Sequence, residues 1–121
     1  MNTRAKGKIG EMIAEKYLRV NNYDILVKNY YTSRGEIDIV ARDRASQELV
    51  FVEVKMRQSK TCGYPEEAVD ENKLEKMNEV AEGYLEKLGS GEDYRFDCLA
   101  IERDRLKATA EIKHYKNIGL V

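Results

Sequence analysis

The chain has one histidine, one proline and two cysteines in 121 residues, and no apolar run approaching the length of a membrane span. Each shortage removes a class of protein. A lone His114, far along the chain, reads as a surface or strand residue rather than a general base. Cys62 and Cys98 form no CxxC pair and are too few for a zinc site, so they read as reduced thiols. The basic start, Met1 to Lys6, leads into an amphipathic stretch instead of a signal-peptide apolar region. The expected location is therefore the cytoplasm, with no membrane partner. Pro65 stands alone, and no repeat, low-complexity tract or linker divides the chain. Residues 1–121 read as a single domain, large enough for a core without disulfides or structural metal.

Charge of one sign is also lacking. The net charge of −1 gives no support by itself to nucleic-acid binding. Its distribution says more: residues 1–34 carry seven Lys/Arg and three Asp/Glu, whereas residues 66–93 carry three Lys and ten Asp/Glu. Either one side of the molecule is basic and another acidic, or this is ordinary surface scatter. Hydrophobic residues, at 42%, suffice for a core, and charged residues, at 36%, argue for a heavily solvated surface.

The hydrophobic pattern predicts seven elements. A first helix over about 4–21 has Ile9, Met12, Ile13, Tyr17 and Val20 at the 3.6 period, Thr3 as its N-cap and Asn21-Asn22 at its end. Strands follow at Tyr23–Tyr31, Glu36–Asp43 and Glu48–Arg57, rich in Ile, Val, Phe and Tyr. A polar loop, 58–64, leads to Pro65 and a second helix over roughly Asp70–Leu88. Its apolar face is Leu74, Met77, Ala81, Tyr84, Leu85 and Leu88, and Gly89-Ser90-Gly91 stops it. Strands near Tyr94–Glu102 and Leu106–Tyr115 complete an α-β-β-β-α-β-β order. One mixed sheet flanked by helices is the natural packing.

The informative segment is the hairpin of the second and third strands. With a four-residue loop at 44–47, Asp43 lies opposite Glu48, Asp38 opposite Glu53 and Glu36 opposite Lys55. Directly opposed side chains share a sheet face with Cβ atoms about 5 Å apart. One face, Ile37, Ile39 and Ala41 against Val50, Val52 and Val54, is wholly apolar. The other has Val40, Leu49 and Phe51 near the loop, then Glu36, Asp38, Glu53 and Lys55 at the far end.

A one-sided sheet could expose that charged end to water. A strand reading Leu-Val-Phe-Val before Glu-Val-Lys instead looks buried on both faces, as a central strand is. Two carboxylates opposed in a partly buried site repel unless something positive lies between them. Lys55 is one candidate. A hard divalent cation, Mg²⁺ or Mn²⁺, is the other, since Mg²⁺ takes oxygen ligands and commonly one or two carboxylates plus phosphate oxygens. On that reading Asp38 and Glu53 hold the metal and the Val54 carbonyl adds a ligand. The metal would polarise a scissile phosphate and acidify a bound water. Lys55 orients that water or stabilises developing negative charge, and Glu36 supports from behind, pairing with Lys55. Glu11, on one helical stripe with Ala14 and Leu18, is by geometry alone either a solvent-facing residue or a further ligand.

These residues carry a resemblance. Gly7-Lys8-Ile9-Gly10-Glu11-Met12-Ile13-Ala14 with Tyr17-Leu18, Asn29-Tyr30, Gly35-Glu36-Ile37-Asp38-Ile39-Val40-Ala41-Arg42, Val50-Phe51-Val52-Glu53-Val54-Lys55-Met56-Arg57, Ala68-Val69 with Lys73, and Arg95-Phe96-Asp97 match along nearly the whole chain. The chain resembles the YraN-like family of bacterial proteins, grouped with the restriction-endonuclease-like, PD-(D/E)xK nucleases. A lone ExK is weak, but the GEID and FVEVKMR segments in this order after a GxxGE helix are specific. The resemblance implies an αβββαβ core with Asp38, Glu53 and Lys55 as a catalytic trio. Glu11 matches the helix glutamate of archaeal Holliday-junction resolvases, which are similar in layout. The usual Pro-Asp is Ile37-Asp38 here.

The expected function is a metal-dependent endonuclease acting on nucleic acid, DNA and branched structures foremost. Arg57, Lys73 and the turn residue Arg34 are candidate phosphate contacts. Lys73 reads equally as a solvated residue near a helix start, and Tyr64 in the loop as a base-stacking candidate. Asp97, inside an apolar strand, is expected to bind Arg95 or an interior backbone group. Two other readings compete: a non-catalytic nucleic-acid-binding module retaining the nuclease fold, and a structural dimerisation protein using its apolar tail, Ile118-Gly119-Leu120-Val121. Action on two strands would favour a homodimer.

Overall fold

The computed structural model describes residues 3–57, 71–89, 91–104 and 106–119. Helix α1 (Thr3–Val20) is followed by strands β1 (Tyr23–Thr32), β2 (Gly35–Asp43) and β3 (Leu49–Arg57), helix α2 (Glu71–Leu88), and strands β4 (Tyr94–Asp104) and β5 (Thr109–Tyr115). The strands form one five-stranded sheet in the order β1-β2-β3-β4-β5. Strands β3 and β4 run parallel, and the other neighbours antiparallel. A parallel pair needs a long crossover, and α2 lies within it. The αβββαβ core with helices flanking a mixed sheet is the architecture expected from the sequence. None of the helices, as far as their residues are described, is long and apolar enough to cross a membrane.

The β2–β3 hairpin has the expected register. Ile39 pairs with Val52, Val40 with Phe51, Ala41 with Val50 and Arg42 with Leu49. The Asp43 amide donates to the Glu48 carbonyl (3.0 Å), closing the loop at 44–47. With neighbours on both sides, β3 is buried from Leu49 through Glu53. Its alternate residues feed two cores. Val50, Val52, Ile39, Ala41, Leu99 and Ile101 meet Ala14 and Leu18 of α1. Leu49, Phe51, Val40 and Ile37 meet Val80 and Ala81 of α2. Full burial of such a side chain contributes about 1.5–3 kcal/mol each.

Several expectations shift. On α1 the buried stripe is Ala14 and Leu18 with Ile13 and Tyr17, whereas Met12 and Val20 are 65% and 72% exposed. Ala14 and Leu18 are four apart, one helical turn, and they centre the sheet-facing arc. That arc therefore includes Glu11. Gly10, beside it, lets the helix come close to the sheet: a Cβ there would lie 3.2 Å from the Met56 Cβ. On α2 Val80 is buried, and Leu88 is 43% exposed. Thr3 is the first residue of α1 rather than flanking it. Cys98 is buried in β4 as a thiol. Cys62, Tyr64, Pro65 and Ala68-Val69 lie outside the described residues.

A buried charge network ties five elements and the hairpin loop together at one edge of the α1 side. Arg95 in β4 donates from Nε to Asp97 Oδ1 (3.0 Å), and from Nη2 to Asp97 Oδ2 (3.2 Å) and the Tyr23 hydroxyl (2.9 Å). Its Nη1 donates to Glu48 Oε1 (2.8 Å), and Nη2 lies 3.0 Å from Asp43 Oδ2. Asp97 is 0% exposed and accepts also from the Asn117 amide (3.0 Å). His114 Nε2 stands 2.7 Å from Asp97 Oδ2, and its Nδ1 stands 3.0 Å from the Tyr17 hydroxyl on α1. Burial would push the Asp97 carboxyl up, but hydrogen bonds from His114 and Arg95 hold it below the ordinary carboxylate range. His114 is thus a strand residue, but its ring is engaged in this network rather than at the surface. The segment after β5 also turns inward: the Ile118 amide donates to the Phe96 carbonyl (2.8 Å), and Gly119 (φ 79°) packs on Leu74, where a Cβ would come within 3.1 Å. Ile118 and Gly119 thus meet their own chain.

Replacing Arg95 leaves buried carboxylates without a counter-charge, a change that costs about 3–5 kcal/mol. Arg95→Ala is therefore expected to lose that much in a urea titration. Arg44→Ala, which removes the exposed pair with Asp24 (2.7 Å), should lose under about 1 kcal/mol. Equal losses would contradict the network's role.

Candidate metal centre

The hairpin ladder stops where the charged residues begin. The last cross-strand pair is Ile39 with Val52, one step before Asp38 and Glu53. On the other side of β2, Lys28 pairs with Ile39 and Tyr30 with Ile37. Asn29, opposite Asp38 in that register, has a left-handed backbone (φ 53°), which Asn tolerates better than other non-glycine residues. The strand alternation breaks here: Ile37 packs on the α2 side and Ile39 on the α1 side. This corrects the expectation that Ile37, Ile39 and Ala41 share one face. A regular pleat was assumed, and the Asn29 irregularity removes it.

Between those two isoleucines, the Asp38 side chain reaches toward β3. Its Oδ2 accepts the Val54 amide at 2.8 Å. A side-chain carboxylate thus satisfies a β3 backbone donor beyond the end of the ladder. Glu36 lies near enough to raise the Asp38 carboxyl further, and Lys55 pairs with Glu53 rather than with Glu36. Asp38 is 9% exposed and Glu53 3%. Burial, then the neighbouring Glu53 charge, with Glu36 adding to both, push the Asp38 carboxyl up to about 7, against the lowering effect of the Val54 amide.

Two lysines from different elements meet Glu53. Lys55 Nζ lies 3.5 Å from Glu53 Oε1, and Lys73 Nζ of α2 lies 3.5 Å from the same oxygen. Both lysines are about one third exposed. The close approach of α2 explains the second. Gly35, at the start of β2, sits under the helix, where a Cβ would lie 3.6 Å from Val80 and 3.8 Å from Lys76. Lys73 is one turn earlier on α2. Glu53 Oε2, in contrast, is buried and has no hydrogen-bond partner among the described residues, and a buried oxygen left so is costly unless a donor or cation meets it.

The donor set suits a hard cation. Asp38 and Glu53 offer carboxylate oxygens, one of them unsatisfied, in a site short of positive charge. Among the described residues no three His, Cys, Asp or Glu side chains stand close enough to hold an ion by themselves. An ion here would complete its shell with water or substrate oxygens, as Mg²⁺ commonly does. Glu11 is half-buried on the sheet-facing arc of α1, next to Gly10, which packs on Met56 and Val54. It approaches the β3 end from the face opposite α2. Arg34 is exposed in the β1–β2 turn, where it lines a groove with Glu79, Glu82 and Glu86 of α2. Arg57 ends β3, and its side chain lies outside those described. The Lys73 contact was open in the sequence only as a helix-start lysine. The signal that could have found it is the Gly35 turn, which requires a close neighbour.

A family model described as Uncharacterised protein family UPF0102 matches residues 10–101, a span that includes Glu11, Asp38, Glu53, Lys55 and Lys73. Among curated relatives, a UPF0102 protein of Moorella thermoacetica is 40% identical over 117 residues, covering 96% of this chain and 96% of the relative. One of Persephonella marina is 41% identical over 102 residues (84% and 86%). One of Dichelobacter nodosus is 34% identical over 119 residues (98% and 91%).

The Asp38 environment has a consequence for stability. Its folded pKa of about 7 lies above the ordinary 3.8. The folded state therefore keeps a proton that the unfolded chain releases, and stability falls as pH rises from about 4 through 7. Asp38→Asn removes that penalty. In chelator, the stability of Asp38→Asn relative to wild type is expected to rise by about 4 kcal/mol between pH 4 and pH 8. A difference independent of pH would exclude a raised Asp38.

Proposed function

We propose that this chain, which belongs to the uncharacterised protein family UPF0102, is a metal-dependent endonuclease of the restriction-endonuclease-like kind, hydrolysing phosphodiester bonds in DNA and in branched DNA foremost. The observation that carries this reading is the buried Glu53 Oε2 without a partner beside an Asp38 carboxyl held near neutrality. A structural salt-bridge cluster would satisfy every oxygen, as the Arg95 network does for Asp97.

Asp38 and Glu53 would hold Mg²⁺ or Mn²⁺, with the Val54 carbonyl as a further ligand; Glu11, on the face opposite α2, would act only through an intervening water. Bound there, the ion would supply Lewis-acid polarisation of a phosphoryl oxygen and a more acidic water. The protein's own groups do the rest. The Val54 amide fixes the Asp38 carboxylate, and Glu36 lies near it. Lys55, two residues beyond Glu53 and partly exposed, is placed to stabilise negative charge developing on the phosphate. Arg57 and Arg34 are proposed phosphate contacts farther out. The short shell of protein ligands leaves coordination positions for substrate oxygens.

The purified protein is expected to cut a four-way DNA junction or a simpler DNA with Mg²⁺ or Mn²⁺. Asp38→Asn and Glu53→Gln should each lower the rate by about a hundredfold or more while circular dichroism stays unchanged. Undiminished cutting in both variants would reject the assignment. Tight junction binding without cutting, whatever the divalent ion, would favour a non-catalytic binding module instead.

A further inference from the structure

The proposed centre contains a second lysine besides the one in its trio. Lys55 and Lys73 both address the same oxygen of Glu53, at 3.5 Å each, from a strand and from a helix. A single buried carboxylate does not need two ammonium groups at equal distance, least of all when its other oxygen has none. Resting on the metal reading above, we infer that Lys73 is a displaceable counter-ion of Glu53, which moves to the substrate phosphate when a divalent ion occupies the site.

Charge supports this assignment. Among the described residues, Glu36, Asp38 and Glu53 supply three carboxyls, and Lys55 and Lys73 two ammonium groups. With a divalent ion present and all three carboxyls ionised, the cluster carries one net positive charge, which a single phosphodiester neutralises. Without Lys73 the loaded cluster is neutral, and the phosphate would leave it negative. The lysine is about one third exposed, on a long stem, on the helix that flanks the site. Groups near it on the outer face of α2 are acidic, including exposed Glu75, Glu79, Glu82 and Glu86.

A counter-ion that competes with metal yet binds phosphate makes an unusual demand: its removal must move two affinities in opposite directions. Calorimetric titration with Mn²⁺ and anisotropy of a labelled four-way DNA junction in Ca²⁺ read the two separately, neither depending on turnover. Lys73→Gln is expected to bind Mn²⁺ about threefold to tenfold more tightly and the junction about tenfold more weakly. Lys73→Arg, which retains the charge, should match the wild type in both. A purely structural lysine would weaken both affinities or neither, and either result overturns the inference. A wild type that takes up no Mn²⁺ is distinguishable, because it sinks the metal reading and this inference together, whereas uptake unchanged by Lys73→Gln sinks this one alone.

Discussion

The constraint on which the site depends is the burial of two carboxylates at the centre of one sheet. Asp38 and Glu53 lie one step beyond the last backbone pair of the hairpin, Ile39 with Val52. There the Asp38 carboxylate takes the Val54 amide, so the side chain completes the edge of the ladder. Both strands are held on their far sides by β1 and β4, and α2 lies close over Gly35. The pair therefore cannot relax by swinging into water. What remains is an electrostatic deficit that only a proton, a lysine or an external cation can relieve.

The chain contains two buried acidic clusters, and it treats them differently. Around Asp97, Arg95 and His114 bring donors to both carboxylate oxygens, and the Asn117 amide adds another. The carboxyl is lowered and the cluster acts as a tie between α1, β1, β2, β4 and β5. Around Asp38 the carboxyl is raised, one Glu53 oxygen has no donor, and two lysines crowd the other. The first arrangement is complete within the protein. The second leaves one carboxylate oxygen without a donor among the described residues, as the first does not.

The helices divide the remaining work. α1 closes the apolar side of the sheet through Ala14 and Leu18, with Gly10 permitting a close approach to Met56. α2 closes the other side through Val80 and Ala81, and also delivers Lys73. A crossover helix between parallel strands is obligatory for the topology. Here it carries a charge to the site as well, so packing of α2 and electrostatics of the centre are linked through one element.

The element order and the hairpin register from Ile39–Val52 to Arg42–Leu49 were legible in the sequence, because alternation of period two and a short polar loop define pairing locally. The suspicion that Asp97 meets Arg95 was legible for the same reason, since the two lie two apart on one strand face. Local pattern could not show the left-handed Asn29 that turns Ile37 to the other side, because it assumes a regular pleat. Nor could it show that Lys73 meets Glu53, that His114 reaches Asp97 from β5, or that Met12 and Val20 face solvent. Those contacts join residues far apart in the chain, and the rotation of each helix about its own axis is chosen by the sheet it packs on. Composition and periodicity therefore determined which strands pair in the hairpin. Only the tertiary packing decided which oxygens found partners, because that depends on donors delivered by other elements.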